Sequence, residues 1–323
     1  MAFVLRLGSR PSKLALAQAE LIKNALTARA TYLRVEIVPI RTAGDRLNLQ
    51  GPLKSPGNKR LFVDELERAL SAGRVDLNVH SMKDLPAALG SRFRIVAVPK
   101  REDPRDALVF RNALSRRDGA GVEALPAGAT VGTSSVRRMF EALRARSDLR
   151  VIPIRGNVDT RLGRLESGEL DGVILALAGL KRLGRAEMHR LAPLNEESFV
   201  PAAGQGALAL EAVSERPVGG SCELDALVRS LNDDAAAAET AAERAFLAEL
   251  GASCSSPVGV RARMSGAALA IHALLFSHDG GKAMEDMTIS KAPMREGIEP
   301  ATLGRELAHR MLEAGGRSLL ADG

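Results

Sequence analysis

Val79-His80-Ser81-Met82-Lys83-Asp84-Leu85-Pro86 sets a hydroxyl, a cation and a carboxylate within four positions, directly after the apolar run Val75-Asp76-Leu77-Asn78-Val79. A short run rich in Val and Leu reads as a buried strand. A strand closing on Ser-x-Lys-Asp carries its polar groups to the carboxyl edge of a sheet, where ligands sit in open α/β folds. The plainer alternative is a polar strand-to-helix turn with Asp84 as a cap. The charge pattern of the rest of the chain tips the balance toward a site.

Upstream, Phe3 to Leu7 reads as a strand and Pro11 to Arg29 as a helix, with Pro in its first turn and apolar residues at Leu14, Leu21, Ile22 and Leu26. Leu33 to Ile40 is a second strand. Leu61 to Ala72 is a helix stopped by Gly73, and Arg94 to Val98 follows the central strand. Strands alternating with helices predict a mostly parallel sheet. The same grammar restarts near Pro104: strand to Gly132, helix Ser134 to Arg146, strand Leu149 to Ile154, helix Asp159 to Glu166, strand Gly172 to Leu175, helix Ala176 to Leu183. The Gly- and Pro-rich stretch Pro201 to Gly206 then leads into a fresh apolar strand, which returns the chain to the first unit. The third part differs. Two helices lie between Leu224 and Leu250, strand-like runs cover Val258 to Arg263 and Ala267 to Leu275, and a final helix covers Ala301 to Ala314. That order predicts a small α+β domain.

The two units echo each other. Leu7-Gly8-Ser9-Arg10-Pro11-Ser12 and Val131-Gly132-Thr133-Ser134-Ser135 both read as strand, glycine, small hydroxyls, helix start. Each turns free backbone N–H groups and hydroxyls toward one spot, which suits an anion. Taken singly, either is an ordinary N-cap. Two of them facing across a cleft would hold a ligand carboxylated on both sides.

Composition narrows the class. A chain of 323 residues exceeds one ordinary core. Aromatic residues are only 3%, with no Trp, so there are few stacking platforms for single-stranded nucleic acid. The net charge of +6 is carried by scattered Arg without a basic run, which also argues against nucleic acid. Two cysteines, Cys222 and Cys254, are too few for a disulfide framework. The first residues do not read as a signal peptide, and no stretch reaches membrane-spanning length. These points predict a cytoplasmic protein without a nucleic-acid or membrane partner. Arg10, Arg137, Arg138, Arg155, Arg161 and Arg182 fall at strand ends or helix starts. Converging guanidinium forks match carboxylates or phosphates on a small ligand.

Eight segments, in order, resemble the porphobilinogen deaminase (hydroxymethylbilane synthase) family: LRLGSRPSKLALAQA from Leu5, VHSMKDLP from Val79, REDPRDA from Arg101, VGTSSVRR from Val131, RGNVDTRL from Arg155, LALAGLKRLG from Leu175, PAAGQGA from Pro201, and Cys254-x-x-Pro257-Val258-Gly259. The resemblance implies an α/β fold of three domains. Two are lobes like those of periplasmic binding proteins, residues 1–103 with 204–220 and residues 104–203. The third, 221–323, is a small α+β domain whose cysteine, Cys254, holds a dipyrromethane cofactor through a thioether. It implies stepwise deaminating polymerisation of porphobilinogen into a linear tetrapyrrole, by a monomer, for porphyrin synthesis. Arg10, Arg137, Arg138, Arg155, Arg161 and Arg182 then meet the acetates and propionates. Ser12, Ser81, Lys83, Thr133 and Ser135 add hydrogen bonds, and Lys59 reaches a carboxylate. Asp84 faces the pyrrole nitrogens and stabilises the cation left when ammonia departs.

Two segments depart from the family pattern. The stretch 54–62 keeps only Gly57 where a glycine-rich mobile loop is usual, and Gly251-Ala252-Ser253 stands where paired glycines are more common. Cys222 has no matching context. A two-lobed small-anion receptor without catalysis would explain both α/β units but neither the third domain nor Cys254.

Overall fold

The computed structural model describes residues 4–50, 59–111, 121–188, 190–252, 256–290 and 299–321, with the backbone alone at 47–50, 59 and 321. Strand β1 (Val4–Ser9) leads into helix α1 (Lys13–Arg29), and Ser12 caps that helix by accepting the Ala15 N–H at 3.3 Å. Ala19, Ile22 and Leu26 recur at helical spacing and are buried, so one stripe of α1 lies on the sheet. Strand β2 (Arg34–Pro39), helices α2 (Ala43–Gln50) and α3 (Asp64–Ser71), and strands β3 (Leu77–Ser81) and β4 (Phe93–Ala97) complete the first pass.

The second pass comprises β5 (Asp106–Phe110), β6 (Thr130–Gly132), α4 (Val136–Ala145), β7 (Arg150–Ile152), α5 (Val158–Glu166), β8 (Gly172–Ala176), α6 (Leu177–Arg182) and β9 (Leu191–Pro193). Strand β10 (Leu208–Val213) then crosses back into the first sheet. The sheet orders are β2-β1-β3-β10-β4 and β7-β6-β8-β5-β9. They are the same order position by position, so β1 corresponds to β6 and β3 to β8. The echo between the Gly8 and Gly132 segments therefore reflects equivalent places in two like lobes.

The mostly parallel arrangement expected from the alternation needs correcting. In each sheet two pairings are parallel and two antiparallel. The fourth strand of each order, β10 or β5, arrives from the opposite lobe and runs against its neighbours. Periodicity reports that a segment is a strand, not which way it enters the sheet.

The two crossings press together between the lobes. Glu102 N–H donates to the Gly206 carbonyl at 3.2 Å. Gly206 has φ +88°, and a Cβ there would sit 2.2 Å from the Glu102 carbonyl oxygen, so only glycine fits this approach.

The third part contains α7 (Cys222–Arg229), α8 (Asp234–Glu249), the antiparallel sheet β11 (Val258–Ser265), β12 (Ala268–Phe276), β13 (Ala283–Ile289), and helices α9 (Pro300–Met311) and α10 (Arg317–Ala321). Strand β13 escapes the sequence reading because Glu285, Asp286 and Thr288 break its apolar pattern at a sheet edge. Phe246 of α8 and Leu307 of α9 close over Val260 and Ile271. The other end of α8 packs on the first lobe, where Ala236 joins Val63, Met82, Leu85 and Val98. That contact supports the turn carrying Lys83 and Asp84.

Candidate active site

Strand β3 ends at Ser81, and Met82–Asp84 form a single 3-10 turn. Met82 N–H donates to the Ala207 carbonyl at 3.0 Å, and Leu85 N–H closes the turn on Met82 at 3.1 Å. Met82 and Leu85 are buried in the cluster against α8, so the turn is anchored by its apolar members. Asp84 shares a small cavity with Arg10, Ser12, Gln18, Phe62 and Ser81. Lys83 is half-buried, and its Nζ donates to Oε1 of Gln205 at 3.2 Å.

Gln205 lies in the crossing segment and joins the lobes. Its Nε2 donates to the Pro104 carbonyl (2.7 Å) and to Oδ1 of Asp106 (2.8 Å), while its Oε1 also accepts from Nη2 of Arg138 (3.1 Å). Asp106 is fully buried, with Arg137 at 2.8 Å and Arg138 at 2.7 Å. Burial would raise the Asp106 carboxyl, but the two guanidinium groups outweigh it and hold it well below the usual range.

Arg137 and Arg138, expected among the cations facing a ligand, lie beneath the surface. Arg137 is 4% exposed and its Nη1 is taken by Asp106, Glu141 (2.7 Å) and the Val200 carbonyl (2.8 Å). Arg138 is enclosed behind Gln205. They are adjacent on α4 next to a buried acid, and Asp106 claims both. Thr133 is likewise buried and accepts the Ser135 N–H at 3.2 Å, and Ser135 caps α4 through the Arg138 N–H.

Lys83, Arg155, Arg161 and Arg182 make no ion pair with another described residue, whereas Arg10 pairs with Asp45. Burial pushes the Lys83 ammonium down to about 8; Arg138 and Arg137 add to that, while Asp84 and Asp106 oppose it. Burial pushes Arg161 down to about 10, with Arg138 adding, and its Nε donates to the Gly156 carbonyl at 2.9 Å. Arg182 is pushed down to about 10 by burial against the pull of Glu102, and its Nη2 donates to the Gly206 carbonyl at 2.6 Å. Arg155 is exposed just beyond β7 and has no hydrogen bond or ion pair to another described residue. Lys83, Arg138 and Arg161 share one neighbourhood, since each of the other two feels the charge of Arg138. Arg182 lies beside the same crossing. A buried cation without an anion is unfavourable, so the buried members of this set, Lys83, Arg161 and Arg182, suit anionic groups of a ligand.

Sequence reasoning noted Gln205 only as part of a glycine-rich stretch and missed Arg244. Arg244 lies on the Ala-rich helix α8, where no local pattern distinguishes it. Its Nη1 is 3.9 Å from the Met82 sulfur, and burial pushes it down to about 10 against the pull of Glu211. Cys254 and the 54–58 part of the expected loop lie outside the described residues. Lys59 opens a 3-10 turn, Lys59–Phe62, and its side chain also lies outside them.

Residues 5–218 match the family model for the porphobilinogen deaminase, dipyromethane cofactor binding domain, and residues 237–313 match that for the porphobilinogen deaminase C-terminal domain. The chain belongs to the porphobilinogen deaminase family. Similar proteins include the porphobilinogen deaminases of Roseiflexus castenholzii, 43% identical over 98% of both chains, and of Chromobacterium violaceum, 45% identical over 98% of this chain and 96% of that one. Among solved structures, a TRAP periplasmic solute binding protein from Desulfovibrio salexigens is 14% identical, covers 73% of this chain and 74% of its own, and superposes with a TM-score of 0.43.

The chemistry of these side chains suits the dipyrromethane group that the family model names. A group assembled from porphobilinogen carries acetates and propionates, and Lys83, Arg155, Arg161 and Arg182 make no ion pair with an acid among the described residues.

Proposed function

We propose that the chain carries out its family's reaction, the stepwise condensation of porphobilinogen into the linear tetrapyrrole hydroxymethylbilane with loss of ammonia. The observation that carries this reading is that Lys83, next to Asp84 on the turn after β3, shares the neighbourhood of Arg138 with Arg161 of the second lobe, while Asp84 itself makes no hydrogen bond to another described residue. When bound through Cys254, the dipyrromethane supplies the pyrrole carbon from which the product is extended.

The chain's own residues do three things. Lys83, Arg155, Arg161 and Arg182 hold carboxylates, with Lys59 as a further candidate, and Arg137 and Arg138 support the floor through Asp106 and Gln205. Arg10, with Ser12 and Ser81, takes a carboxylate of the incoming monomer in the Asp84 cavity. Asp84 accepts a pyrrole N–H and offsets the positive charge that develops as ammonia leaves. Thr133 and Ser135 shape the α4 start, which turns its N–H groups toward the cleft.

We take residues 1–103 with 204–220, 104–203 and 221–323 as the three domains, and the crossings that meet at Gly206 as the hinge. The reading makes the enzyme a cytoplasmic monomer acting on a small molecule, since one chain supplies both cleft walls. No helix among the described residues is long and apolar enough to cross a membrane. Intact mass spectrometry tests the proposal together with an assay of porphobilinogen consumption. The purified protein should exceed its sequence mass by a dipyrromethane, Cys254→Ala should match its sequence mass, and only the heavier form should turn over. Wild-type protein at sequence mass that binds porphobilinogen without consuming it would establish the receptor reading instead.

A further inference from the structure

The Arg10 guanidinium is held on one edge and one face. Its Nε lies 3.1 Å and its Nη2 2.5 Å from Oδ1 of Asp45, at the start of α2. Its Cζ lies 4.2 Å from the centre of the Phe62 ring. Asp45 is itself fixed, because its Oδ2 accepts from the Thr42 hydroxyl (2.8 Å) and from the Thr42 N–H (3.2 Å). Burial raises the Asp45 carboxyl, but Arg10 and Thr42 outweigh it and keep it below its ordinary range, so it is ionised. Nη1 of Arg10 makes no hydrogen bond to another described residue, and Arg10 lines the cavity shared with Ser12, Ser81 and Asp84.

A guanidinium has five N–H donors in a rigid plane. The side-on grip of Asp45 uses the Nε edge and leaves the Nη1/Nη2 end, the edge that clasps a carboxylate through two parallel bonds.

We propose that Asp45 is a positioning residue for substrate recognition, holding Arg10 side-on so that its free edge is presented to a carboxylate of the incoming monomer. The proposal rests on the deaminase reading of the cleft and adds a residue that acts only through Arg10. Asp45 also lowers the net charge of the site, so its benefit is geometric. The long Arg side chain is ordered once, on folding, and not again each time a ligand binds.

The test compares wild type, Asp45→Asn, Arg10→Met and the double variant, each cofactor-loaded by intact mass, in steady-state assays with porphobilinogen. Loss of preorganisation of one long side chain is worth about five- to tenfold in affinity. Asp45→Asn should therefore raise KM about five- to tenfold with kcat changed less than about twofold. The double variant should match Arg10→Met alone. Thr42→Val, which frees one side of the Asp45 carboxylate, should raise KM in the same direction by a smaller factor, and it supplies the answer if Asp45→Asn does not fold. An unchanged or lower KM in both Asp45→Asn and Thr42→Val overturns the proposal, because Asp45 would then be idle or compete with substrate. So does an equal KM increase from Asp45→Asn when Arg10 is already Met. Wild type at sequence mass without turnover overturns the functional reading itself, a result distinguishable from either of these.

Discussion

Replacing Asp106 by Asn separates two acids that look alike in the sequence. Asp106 is fully buried and receives Nε (3.0 Å) and Nη2 (2.7 Å) of Arg138, Nη1 of Arg137 (2.8 Å) and the Gln205 amide (2.8 Å). Asn keeps the shape and removes the charge, which leaves two enclosed guanidinium groups facing Glu141. Removing one partner of a buried ion pair costs about 3–5 kcal/mol. Part of that is recovered. The Glu141 carboxyl is pushed up to about 8 by burial and by Asp106, against Arg137 and Arg138. Without Asp106 one cause of that rise disappears, and Glu141 ionises as the replacement counter-charge. The expected loss is therefore near the lower bound, about 3 kcal/mol. Glu141→Gln should behave differently. At pH 6 the wild-type carboxyl is mostly protonated, and an amide imitates it, so the cost should be below about 1 kcal/mol. Glu141 has a folded pKa above its ordinary 4.5, so its contribution is full below 4.5 and is lost as pH rises through about 8. Glu141→Gln should flatten that decline. Thermal and urea unfolding at pH 6 and pH 8 measure both effects. At about 2–4 °C per kcal/mol, Asp106→Asn should lower the melting temperature by about 6–12 °C. Asp106→Asn within about 1 kcal/mol of wild type, or Glu141→Gln as costly as Asp106→Asn at pH 6, would refute the division of charge between the two acids.

Two further predictions concern turnover. Asp84→Asn should lower kcat by about 10²–10³-fold with melting and cofactor mass unchanged, because the proposed reading aims Asp84 at developing charge and it makes no hydrogen bond to another described residue. Equal kcat in a cofactor-loaded variant removes Asp84 from the mechanism. Lys83 sits below its ordinary 10.5 at about 8, so its charge is lost as pH rises through that region, and KM for porphobilinogen should climb on the alkaline side. Lys83→Met should show a higher KM without that alkaline arm, and an unchanged arm would assign it to another group.

The repeated grammar of the lobes was legible because it is local. Gly8 followed by Ser12, and Gly132 followed by Ser135, announce a strand end and a capped helix without reference to anything distant, and both serines do cap. The antiparallel direction of β5 and β10 was not legible, since it depends on which lobe a crossing chain enters. The roles of the arginines divide the same way. Position after a strand singles out the arginines as candidates. What each guanidinium faces depends on acids remote in sequence: Asp106 for Arg137 and Arg138, Asp45 for Arg10, and none for Arg155 among the described residues. A motif such as Val131-Gly132-Thr133-Ser134-Ser135-Val136-Arg137-Arg138 can mark a site without saying which of its residues reaches the ligand.

On the proposed reading, that distinction determines how the cleft works as an anion trap. If every cation faced the ligand, the empty cleft would be strongly self-repelling and its walls would splay. Here Arg137 and Arg138 share the buried charge of Asp106 from below, and Arg10 is neutralised from the side by Asp45. Their positions are set without adding to that repulsion. Among the described residues Lys83, Arg161 and Arg182 make no ion pair, and each is tied to a neutral oxygen, from Gln205, Gly156 or Gly206. A neutral oxygen is a weaker partner than a carboxylate, so an arriving carboxylate can displace it at modest cost. Two of those oxygens belong to the crossing segment itself, so if that segment is the hinge proposed above, exchanging a temporary partner for a ligand carboxylate would be felt by both lobes.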